Sequence, residues 1–364
     1  MVVVHVLDSV LSGGVGAMAR SLILEQYKAG KKPVLVCQQT EMTGFRKWCD
    51  ESKIRIPFYG IEAYRRKYMT IFGGLSAKTE KQIMAEYPND DIVYHFHNPI
   101  ACGLLFACKG KSICTIHGFV GKISGNKISN LIVKKTITNL LKKNVTLVGC
   151  CNAVANYCNA NYHTSRVLTV MNGLQTIKEE DRQYITKNEK FHIGYAATID
   201  ELKGWRILAE AYGRLTSNQR EQCDLYFAGE ISSNDRVDFE RFVSDNIVHY
   251  LGYVPKTEKT FIPFLDVLVL PSRTEGLPMS ILEAMQVGVV PVATHVGGIP
   301  ELIENECSGY LIDRDANELA EILGRLISDR SLLEKVKHES RRRFEEVGTA
   351  AIMEKNYCRI YEQL

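Results

Sequence analysis

Short apolar runs alternate with longer segments of helical periodicity along the whole 364-residue chain. The apolar runs of the first half are VVVHVL, PVLVC, IVYHF, SICTIH, TLVGC and VLTVMNG. A helical pattern near 16–29 follows the first run. Runs as short as strands, separated by helices, are typical of parallel sheets. The first half therefore predicts a doubly wound α/β domain.

A second series of the same kind begins near residue 191. Its helical stretches include GWRILAEAYGRL and SILEAMQVG, and its apolar runs are FHIGYAA, CDLYFAGE, IVHYLG, VLVLPS, VVPVA and GYLI. A polar segment at 176–190 separates the two series. We predict two Rossmann-like doubly wound parallel-sheet domains, 1–175 and 176–348, which face a central cleft. Ligands of such sheets bind at the carboxyl ends of the strands.

The charge of the chain is divided unevenly between its two halves. Residues 1–170 contain 22 Lys and Arg against 10 Asp and Glu, whereas the remainder contains 23 against 32. Between Asp91 and Glu179 there is no acidic residue. This basic region predicts an anionic partner, and the candidates are a phosphate-bearing substrate, an anionic membrane surface and nucleic acid. Because no basic motif is interleaved with aromatic residues, we expect no nucleic acid.

The first apolar run, MVVVHVLDSVL, lacks a basic leader and runs into a glycine turn, so it predicts a buried strand rather than a signal peptide. No apolar run has the roughly 18 residues that cross a bilayer. The eleven cysteines are irregularly spaced, which is typical of reduced, buried thiols. We expect a cytoplasmic protein.

Glycines occupy the turn after the first predicted strand, in the sequence SGGVG. Gly13, Gly14 and Gly16 let a phosphate or sugar approach the backbone next to a helix N-terminus. The spacing of the three glycines is not that of the dinucleotide-binding fingerprint. A tight turn that binds no ligand explains their presence equally well. These glycines are candidate donor-binding residues.

Two carboxylates flank a predicted helix start in LVLPSRTEGLPMSILEAM. Glu275 and Glu283 are separated by seven residues, with a glycine turn after the first and a helix carrying the second. The backbone N–H groups of Gly276, Leu277 and Met279, together with the helix dipole, would meet a diphosphate here. The segment predicts a site for a nucleotide diphosphate.

These motifs resemble the retaining glycosyltransferases of family 4, which have the GT-B fold. The resemblance rests on PSRTEGLPMSILEAM followed by VGGIPE, and it extends to TIHGF, to MNG at 171–173 and to the KG of 203–204. It implies transfer of a sugar from a nucleotide diphosphate to a glycan or lipid-linked glycan acceptor in bacterial-type polysaccharide or glycoconjugate synthesis. It also implies that a last helix, at about 349–364, crosses back onto the first domain.

The resemblance assigns roles to individual residues. Glu283 would hold the donor ribose, and Glu275 would bind hydroxyls of the transferred sugar and take part in catalysis. Lys203 would neutralise the diphosphate, His117 would lie near the anomeric carbon, and Asn172 would contact the donor. The alternatives without a ligand are that Glu275 and Glu283 are carboxylates at a helix start, that Lys203 is a solvated lysine and that His117 is a structural histidine.

The sequence departs from the family pattern at two positions. Thr198 stands where family members often carry an arginine, five residues before the lysine. Arg273 or a basic residue of the first domain would supply the missing charge, and the sequence does not decide between them. Gln175 replaces a common aspartate after the MNG segment.

Two patterns invite a metal interpretation, and we reject both. His95 and His97 share one face of a predicted strand without an evident third ligand. Asp313 and Asp315 form a D-x-D, but their position in a turn before a helix predicts capping. We therefore expect neither a metal nor a cofactor besides the nucleotide sugar. The resemblance implies a UDP-linked donor, because the EGLP form of the motif is common among family members that use UDP-sugars.

Two other functions compete with glycosyl transfer. A GT-B-like sugar-nucleotide epimerase or hydrolase would need an acidic base in the first domain, which the absence of Asp and Glu at 92–178 opposes. A non-catalytic relative that docks on membranes would not need Glu275, Glu283, Lys203 and His117 together.

A basic amphipathic segment, KISGNKISNLIVKKTITNLLKKN, lies within the basic region. As a helix it places Ile128, Leu131, Ile132 and Leu140 near one side and most of its lysines elsewhere. An ordinary core-facing helix has this pattern, and so has a helix lying on an anionic bilayer. Both interpretations stay open from the sequence.

Overall fold

The computed structural model describes residues 1–7, 13–61, 75–99, 108–119, 127–164, 166–181 and 189–364. It divides the chain into two compact units. Unit 1 comprises Met1–Leu174 and Ala350–Leu364, and unit 2 comprises Gln175–Thr349. Each unit contains one parallel sheet flanked by helices, which confirms the predicted fold class.

The sheet of unit 1 has the strand order β3-β2-β1-β4-β5-β6-β7, with every described pairing parallel. Its buried strands coincide with the apolar runs of the sequence. Among the described strands of this sheet only β3 lies outside the predicted runs, because Gly60 interrupts its FYGI sequence and it shows no continuous apolar run. The strands are β1 Val2–Val6, β2 Lys32–Gln38, β3 Phe58–Ile61, β4 Ile92–Phe96, β5 Lys111–Ile116, β6 Thr146–Gly149 and β7 Leu168–Thr169.

The helices of unit 1 come from both ends of the chain. The described ones are α1 Gly14–Lys28, α2 Met42–Glu51, α3 Ala77–Glu86, α4 Lys127–Lys142, α5 Asn152–Tyr162 and, after unit 2, α14 Ala350–Glu362. Helix α14 packs on α1, with Lys31 Nζ 2.6 Å from a carboxylate oxygen of Glu354. Tyr357 and Tyr361 of α14 are completely buried. This last helix is therefore part of the core of unit 1.

The sheet of unit 2 has the order β10-β9-β8-β11-β12-β13 and is also parallel. Aromatic and aliphatic side chains, among them Trp205, Phe227 and Phe239, form its core. The strands are β8 Phe191–Ala196, β9 Cys223–Ala228, β10 Val248–Tyr250, β11 Val267–Leu270, β12 Val290–Thr294 and β13 Tyr310–Ile312. The helices are α6 Trp205–Arg214, α7 Ser217–Glu221, α8 Arg236–Asp245, α9 Thr257–Thr260, α10 Met279–Gln286, α11 Ile299–Leu302, α12 Ala316–Ser328 and α13 Arg330–Val347.

The strand order of each sheet reverses its direction at one point, between β1 and β4 in unit 1 and between β8 and β11 in unit 2. Ligands of doubly wound sheets bind outside the carboxyl ends of the strands at such a point. The loops after these strands are therefore the expected location of a ligand in each unit. Within the described residues, no helix combines the length and apolarity needed to cross a membrane.

Candidate active site

A lysine and a glutamate meet at the switch point of unit 2. Lys203 lies in the turn between β8 and α6, and Glu275 lies in the loop between β11 and α10. The Lys203 ammonium donates to Glu275 Oε1 over 2.7 Å. The glutamate side chain is only 8% exposed and the lysine side chain 32%. The structure thus joins two residues that the sequence assigned to one donor site.

Two glycines permit the loops of this site to touch. Gly204, directly after Lys203, has a φ of +81°, and an added Cβ would lie 2.1 Å from the Pro271 carbonyl oxygen. Gly297 has a φ of +58°, and its Cβ would lie 1.8 Å from the Glu275 carbonyl oxygen. Only glycine fits both the left-handed backbone and this proximity. The KG and VGG motifs therefore maintain the backbone around Glu275.

Further polar residues, which the sequence analysis did not single out, hold the pair in place. Ser272 is fully buried, and its hydroxyl donates to the same Glu275 oxygen over 2.7 Å. Thr294 Oγ1 in turn donates to the Ser272 carbonyl over 2.6 Å. The Lys203 N–H donates to Asp200 Oδ1 over 2.7 Å. The three-residue spacing of Ser272 and Glu275 was the available signal for this contact.

Glu283 lies on α10, within two turns of its start. Its side chain is partly buried, and its Oε2 accepts a hydrogen bond from Thr257 Oγ1 over 3.2 Å. Helix α10 begins at Met279 behind Pro278, without a side-chain cap. Gly276 accepts a bond from the Gly298 N–H through its carbonyl, and Leu277 is buried. Binding of a diphosphate by the amides of 276, 277 and 279 stays a prediction.

The arginine candidate for the missing cation has another partner. The Arg273 guanidinium lies 3.2 Å from Glu201 Oε1, and Arg314 approaches the same carboxylate at 3.4 Å. Arg314 also donates through Nε to the Pro271 carbonyl over 3.3 Å. Thr198, at the family arginine position, is exposed. The sequence analysis overlooked Arg314 because it stands inside the D-x-D pattern, 41 positions after Arg273.

The D-x-D pattern itself belongs to a helix start. Asp315 accepts bonds from the N–H groups of Asn317 and Glu318 at the beginning of α12. Glu318 returns a bond by accepting from the Asp313 N–H over 2.8 Å. This reciprocal arrangement confirms the capping prediction for Asp315.

In unit 1 the glycine turn leads directly into α1. Gly13 is the N-cap residue, Gly14 begins the helix and Gly16 is buried within its first turn. The helix thus begins two residues earlier than the pattern near 16–29 predicted, and residues 8–12 lie outside the described part of the chain. Asn172 is buried in the segment after β7, next to Gly173, whose N–H faces Met353 Sδ at 3.2 Å.

His117 follows β5 directly, at the carboxyl end of the sheet. Both of its ring nitrogens are shielded from solvent and have no hydrogen-bond partner among the described residues. Burial lowers the pKa of His117 to about 4 because it disfavours the charged imidazolium. At neutral pH His117 is therefore a neutral imidazole with one donor and one acceptor nitrogen.

Three further histidines are completely buried beside the unit 1 switch point. His5 on β1 stands next to His95 on β4, and His97 follows that strand. The sequence analysis saw only the His95 and His97 pair, and the structure adds His5 as a third imidazole. Candidate metal-ligating atoms of the three lie within 4.8 Å of one another. Burial lowers the pKa of all three, that of His5 to about 4.

Comparison with known proteins finds a family match within unit 2 and relatives over about a third of the chain. The glycosyl transferases group 1 family model matches residues 190–329. The putative colanic acid biosynthesis glycosyltransferase WcaL of Escherichia coli K12 is 33% identical over 136 residues, 35% of this chain and 34% of that protein. The amylovoran biosynthesis glycosyltransferase AmsK of Erwinia amylovora is 34% identical over 141 residues, 36% and 34% of the respective chains. The chain spans about a third of the length of these relatives.

The similarity in fold extends further than the similarity in sequence. The crystal structure of Anabaena Alr3699/HepE in complex with UDP and glucose covers 100% of both chains, with a TM-score of 0.78 and 15% identity. At that identity the likeness concerns the fold alone. Residues 190–329 thus match the glycosyl transferases group 1 family, and the chain as a whole has the two-unit α/β fold of Alr3699/HepE.

Proposed function

We propose that the chain is a retaining glycosyltransferase that moves a sugar from a nucleotide diphosphate to a glycan or lipid-linked glycan. The observation that carries the proposal is the Lys203–Glu275 pair at the unit 2 switch point, within the segment that matches group 1 glycosyl transferases. Glu283, eight positions after Glu275, supplies a second carboxylate from α10. One cation and two carboxylates are suited to a diphosphate and to the hydroxyls of two sugars.

The names of similar proteins support the donor and the pathway class. Alr3699/HepE has been crystallised with UDP and with UDP-glucose, and the two curated relatives are named for colanic acid and amylovoran biosynthesis. We therefore assign a UDP-sugar as donor and polysaccharide synthesis as the process.

Charge stabilisation follows from the residues of unit 2. Lys203 opposes the diphosphate, and the N-terminal end of α10, with the amides of Gly276, Leu277 and Met279, stabilises the leaving nucleoside diphosphate. Glu275 binds hydroxyls of the transferred sugar and Glu283 binds the ribose. In the retaining reaction the acceptor hydroxyl attacks on the face that the leaving group departs from, and a phosphate oxygen takes its proton.

The residues of unit 1 complete this assignment. His117 contacts the sugar near its anomeric carbon, and Gly13, Gly14, Gly16 and Asn172 bind the donor. No cofactor besides the nucleotide sugar enters the proposal. The positive charge comes from the protein rather than from a divalent cation.

Transfer from a panel of nucleotide sugars tests the activity. We expect a UDP-sugar to be consumed, and Glu275→Gln to lower turnover about 10²- to 10³-fold, the effect of losing one preorganised contact at a reacting centre. Glu210→Gln, at an exposed position of α6, is the matched control and should keep wild-type turnover. Sugar release that does not depend on any acceptor would favour the hydrolase alternative.

Chelation with EDTA tests separately whether transfer proceeds without a divalent metal ion. Turnover should persist in EDTA because Lys203 and the α10 amides carry the charge. Loss of turnover in EDTA, with recovery on adding Mg²⁺ or Mn²⁺, would contradict it while leaving glycosyl transfer in place.

A lipid-linked acceptor would require unit 1 to meet a membrane, and we propose that α4 provides the contact. Ile137 and Leu140 face the core, whereas Leu131 is 54% exposed. Among the exposed residues of this region are Lys134, Lys135, Lys142 and Lys143. The side chains of Ile128 and Ile132 lie outside the described residues. A core-facing helix with a lysine-rich outer face is thus present, and an anionic bilayer attracts each such lysine by about 1 kcal/mol.

Sedimentation with vesicles tests this contact. Binding should grow with the fraction of anionic lipid, fade with salt and disappear when Lys134, Lys135, Lys142 and Lys143 are replaced by Gln. Lys78→Gln with Lys81→Gln, on the exposed face of α3, is the matched control. Equal binding by the α4 variant and the wild type would exclude α4 as the membrane site.

A further inference from the structure

A continuous row of buried, hydrogen-bonded side chains runs through unit 1 behind His117. His97 Nε2 lies 2.8 Å from His5 Nδ1, and His5 Nε2 lies 2.7 Å from Gln26 Oε1. Gln26 Nε2 donates to the Tyr361 hydroxyl over 3.3 Å, and this hydroxyl lies 2.8 Å from His95 Nδ1. His95 Nε2 is 2.8 Å from Thr115 Oγ1. We call these six residues the histidine row.

The orientation of the Gln26 amide determines the tautomer of each histidine. Its oxygen only accepts, so the proton of neutral His5 is on Nε2, and His5 Nδ1 is an acceptor. His97 must then donate from Nε2, which leaves its Nδ1 as a bare lone pair. On the other side Tyr361 accepts from Gln26 and donates to His95 Nδ1, so His95 donates from Nε2 to Thr115.

The histidine row leaves little room for a metal ion. Both nitrogens of His5 and both nitrogens of His95 already contact side-chain partners. The rings of His95 and His97 are stacked, with centroids 4.0 Å apart. A metal held by His5, His95 and His97 would have to break at least one hydrogen bond of His5 and one of His95. The geometry therefore favours a fixed placement of protons on the nitrogens of these histidines, which we call the proton order, over ligation of a metal ion.

The row ends next to His117. The His97 Nδ1 lone pair has no partner among the described residues, and the same is true of both His117 nitrogens. The two rings are nearly parallel, at 16°, with centroids 6.1 Å apart. The hydrogen-bonded His5 and His97 rings have centroids 5.2 Å apart. The His97 and His117 rings are thus roughly 1 Å further apart than this hydrogen-bonded pair, a separation that a small movement of His117 toward His97 would close.

We propose that Gln26 and Tyr361 are positioning residues, which fix His97 Nδ1 as a hydrogen-bond acceptor. His117 then donates to His97 from one ring nitrogen, and its other ring nitrogen is an acceptor that meets the sugar. The group that His117 recognises is then a sugar hydroxyl, which donates to this nitrogen. The assignment of His117 to the sugar rests on the proposed function, whereas the proton order of the row does not.

Nuclear magnetic resonance on ¹⁵N-histidine-labelled protein tests the proton order without any activity. In the wild type we expect His97 with its proton on Nε2 alone. Gln26→Met removes the residue that sets the order, and Tyr361→Phe removes the anchor of the Gln26 amide, so both should give a mixture of His97 tautomers. Tyr59→Phe, which alters a tyrosine of unit 1 outside the row, is the control and should match the wild type. Circular dichroism verifies that each variant is folded.

A double-mutant cycle tests the link to His117. Gln26→Met should lower kcat/KM about 2- to 10-fold, the effect of losing one neutral hydrogen bond. In a His117→Phe background the same change should have no further effect, because the row acts through His117. Equal effects in both backgrounds would overturn the link. A wild-type His97 proton on Nδ1, or one tightly bound zinc per chain, would overturn the proton order itself, even in an active enzyme.

Discussion

The Lys203–Glu275 pair allows a stability prediction with a definite order among variants. Lys203→Met leaves the Glu275 carboxylate, 8% exposed, with the Ser272 hydroxyl as a remaining hydrogen-bond donor. Glu275→Gln leaves instead a lysine that is 32% exposed and retains access to water. Lys203→Met removes the contact, whereas Glu275→Gln removes only the acceptor's charge and leaves an amide oxygen that can still accept from Lys203. Lys203→Met should therefore be the more destabilising.

The magnitude follows from this partial exposure. Breaking a fully buried pair costs about 3–5 kcal/mol, and an exposed pair contributes about 0.2–1 kcal/mol. Since the lysine is partly solvated and the Ser272 bond survives, we expect about 1–2 kcal/mol for Lys203→Met and less than about 1 kcal/mol for Glu275→Gln. For a domain of this size the first value lowers Tm by about 2–8 °C.

Differential scanning calorimetry of the two variants and their double mutant measures these effects. The double mutant should be more stable than Lys203→Met, because the unpaired buried charge is gone. Lys335→Met, which removes an exposed lysine of α13, controls for the loss of positive charge alone. The reasoning is refuted if Glu275→Gln costs more than Lys203→Met, or if the double mutant is the least stable of the three.

Three further predictions concern the donor, the backbone and the buried histidines. Glu283→Ala should weaken UDP-sugar binding about 10- to 100-fold in calorimetry, because hydrogen bonds to a charged group are lost; unchanged affinity would contradict the ribose assignment. Gly204→Ala should cost about 1–3 kcal/mol in urea unfolding through its left-handed backbone, whereas Gly213→Ala, which has open space in α6, should be neutral or stabilising. Between pH 6.5 and 4 the histidines of the unfolded chain bind protons that His5 and His117 of the folded protein do not. The free energy of unfolding should therefore fall with falling pH, by up to about 1.4 kcal/mol per pH unit for each histidine. A flat pH profile of the free energy of unfolding would refute their burial as neutral groups.

The sequence predicted those elements whose local pattern coincides with their burial. Continuous apolar runs became central strands such as β1, β4, β8 and β11, which are buried on both faces. Strand β3 is a partly exposed edge strand that contains Gly60, so no such run marks it. Exposure alone does not explain this failure, because β7 and β10 are also incompletely buried and were found within longer apolar runs.

The candidate site divides in the same way. Lys203 and Glu275 were found because each lies in a short contiguous motif, the KG of 203–204 and PSRTEGLP, that resembles the family pattern. His5 was overlooked because its partner His97 is 92 positions away, and only the register of β1 against β4 joins them. Ser272 was overlooked although it stands only three residues before Glu275. Arg314, by contrast, reaches Pro271 and Glu201 through contacts between loops, which depend on the order of the strands. Contacts between distant segments cannot be read from spacing along the chain.

The position of α14 in the chain affects the order in which the protein is made. The chain leaves unit 1 at Leu174 and returns at Ala350, and the N–H of Ala350 donates to the carbonyl of Leu174 over 2.8 Å. A ribosome therefore completes unit 2 before it supplies Tyr357 and Tyr361. Until then unit 1 lacks two buried aromatic side chains, and His95 lacks the hydroxyl of Tyr361. Although domains usually fold in the order of their synthesis, the first unit of this protein is the last that can finish folding.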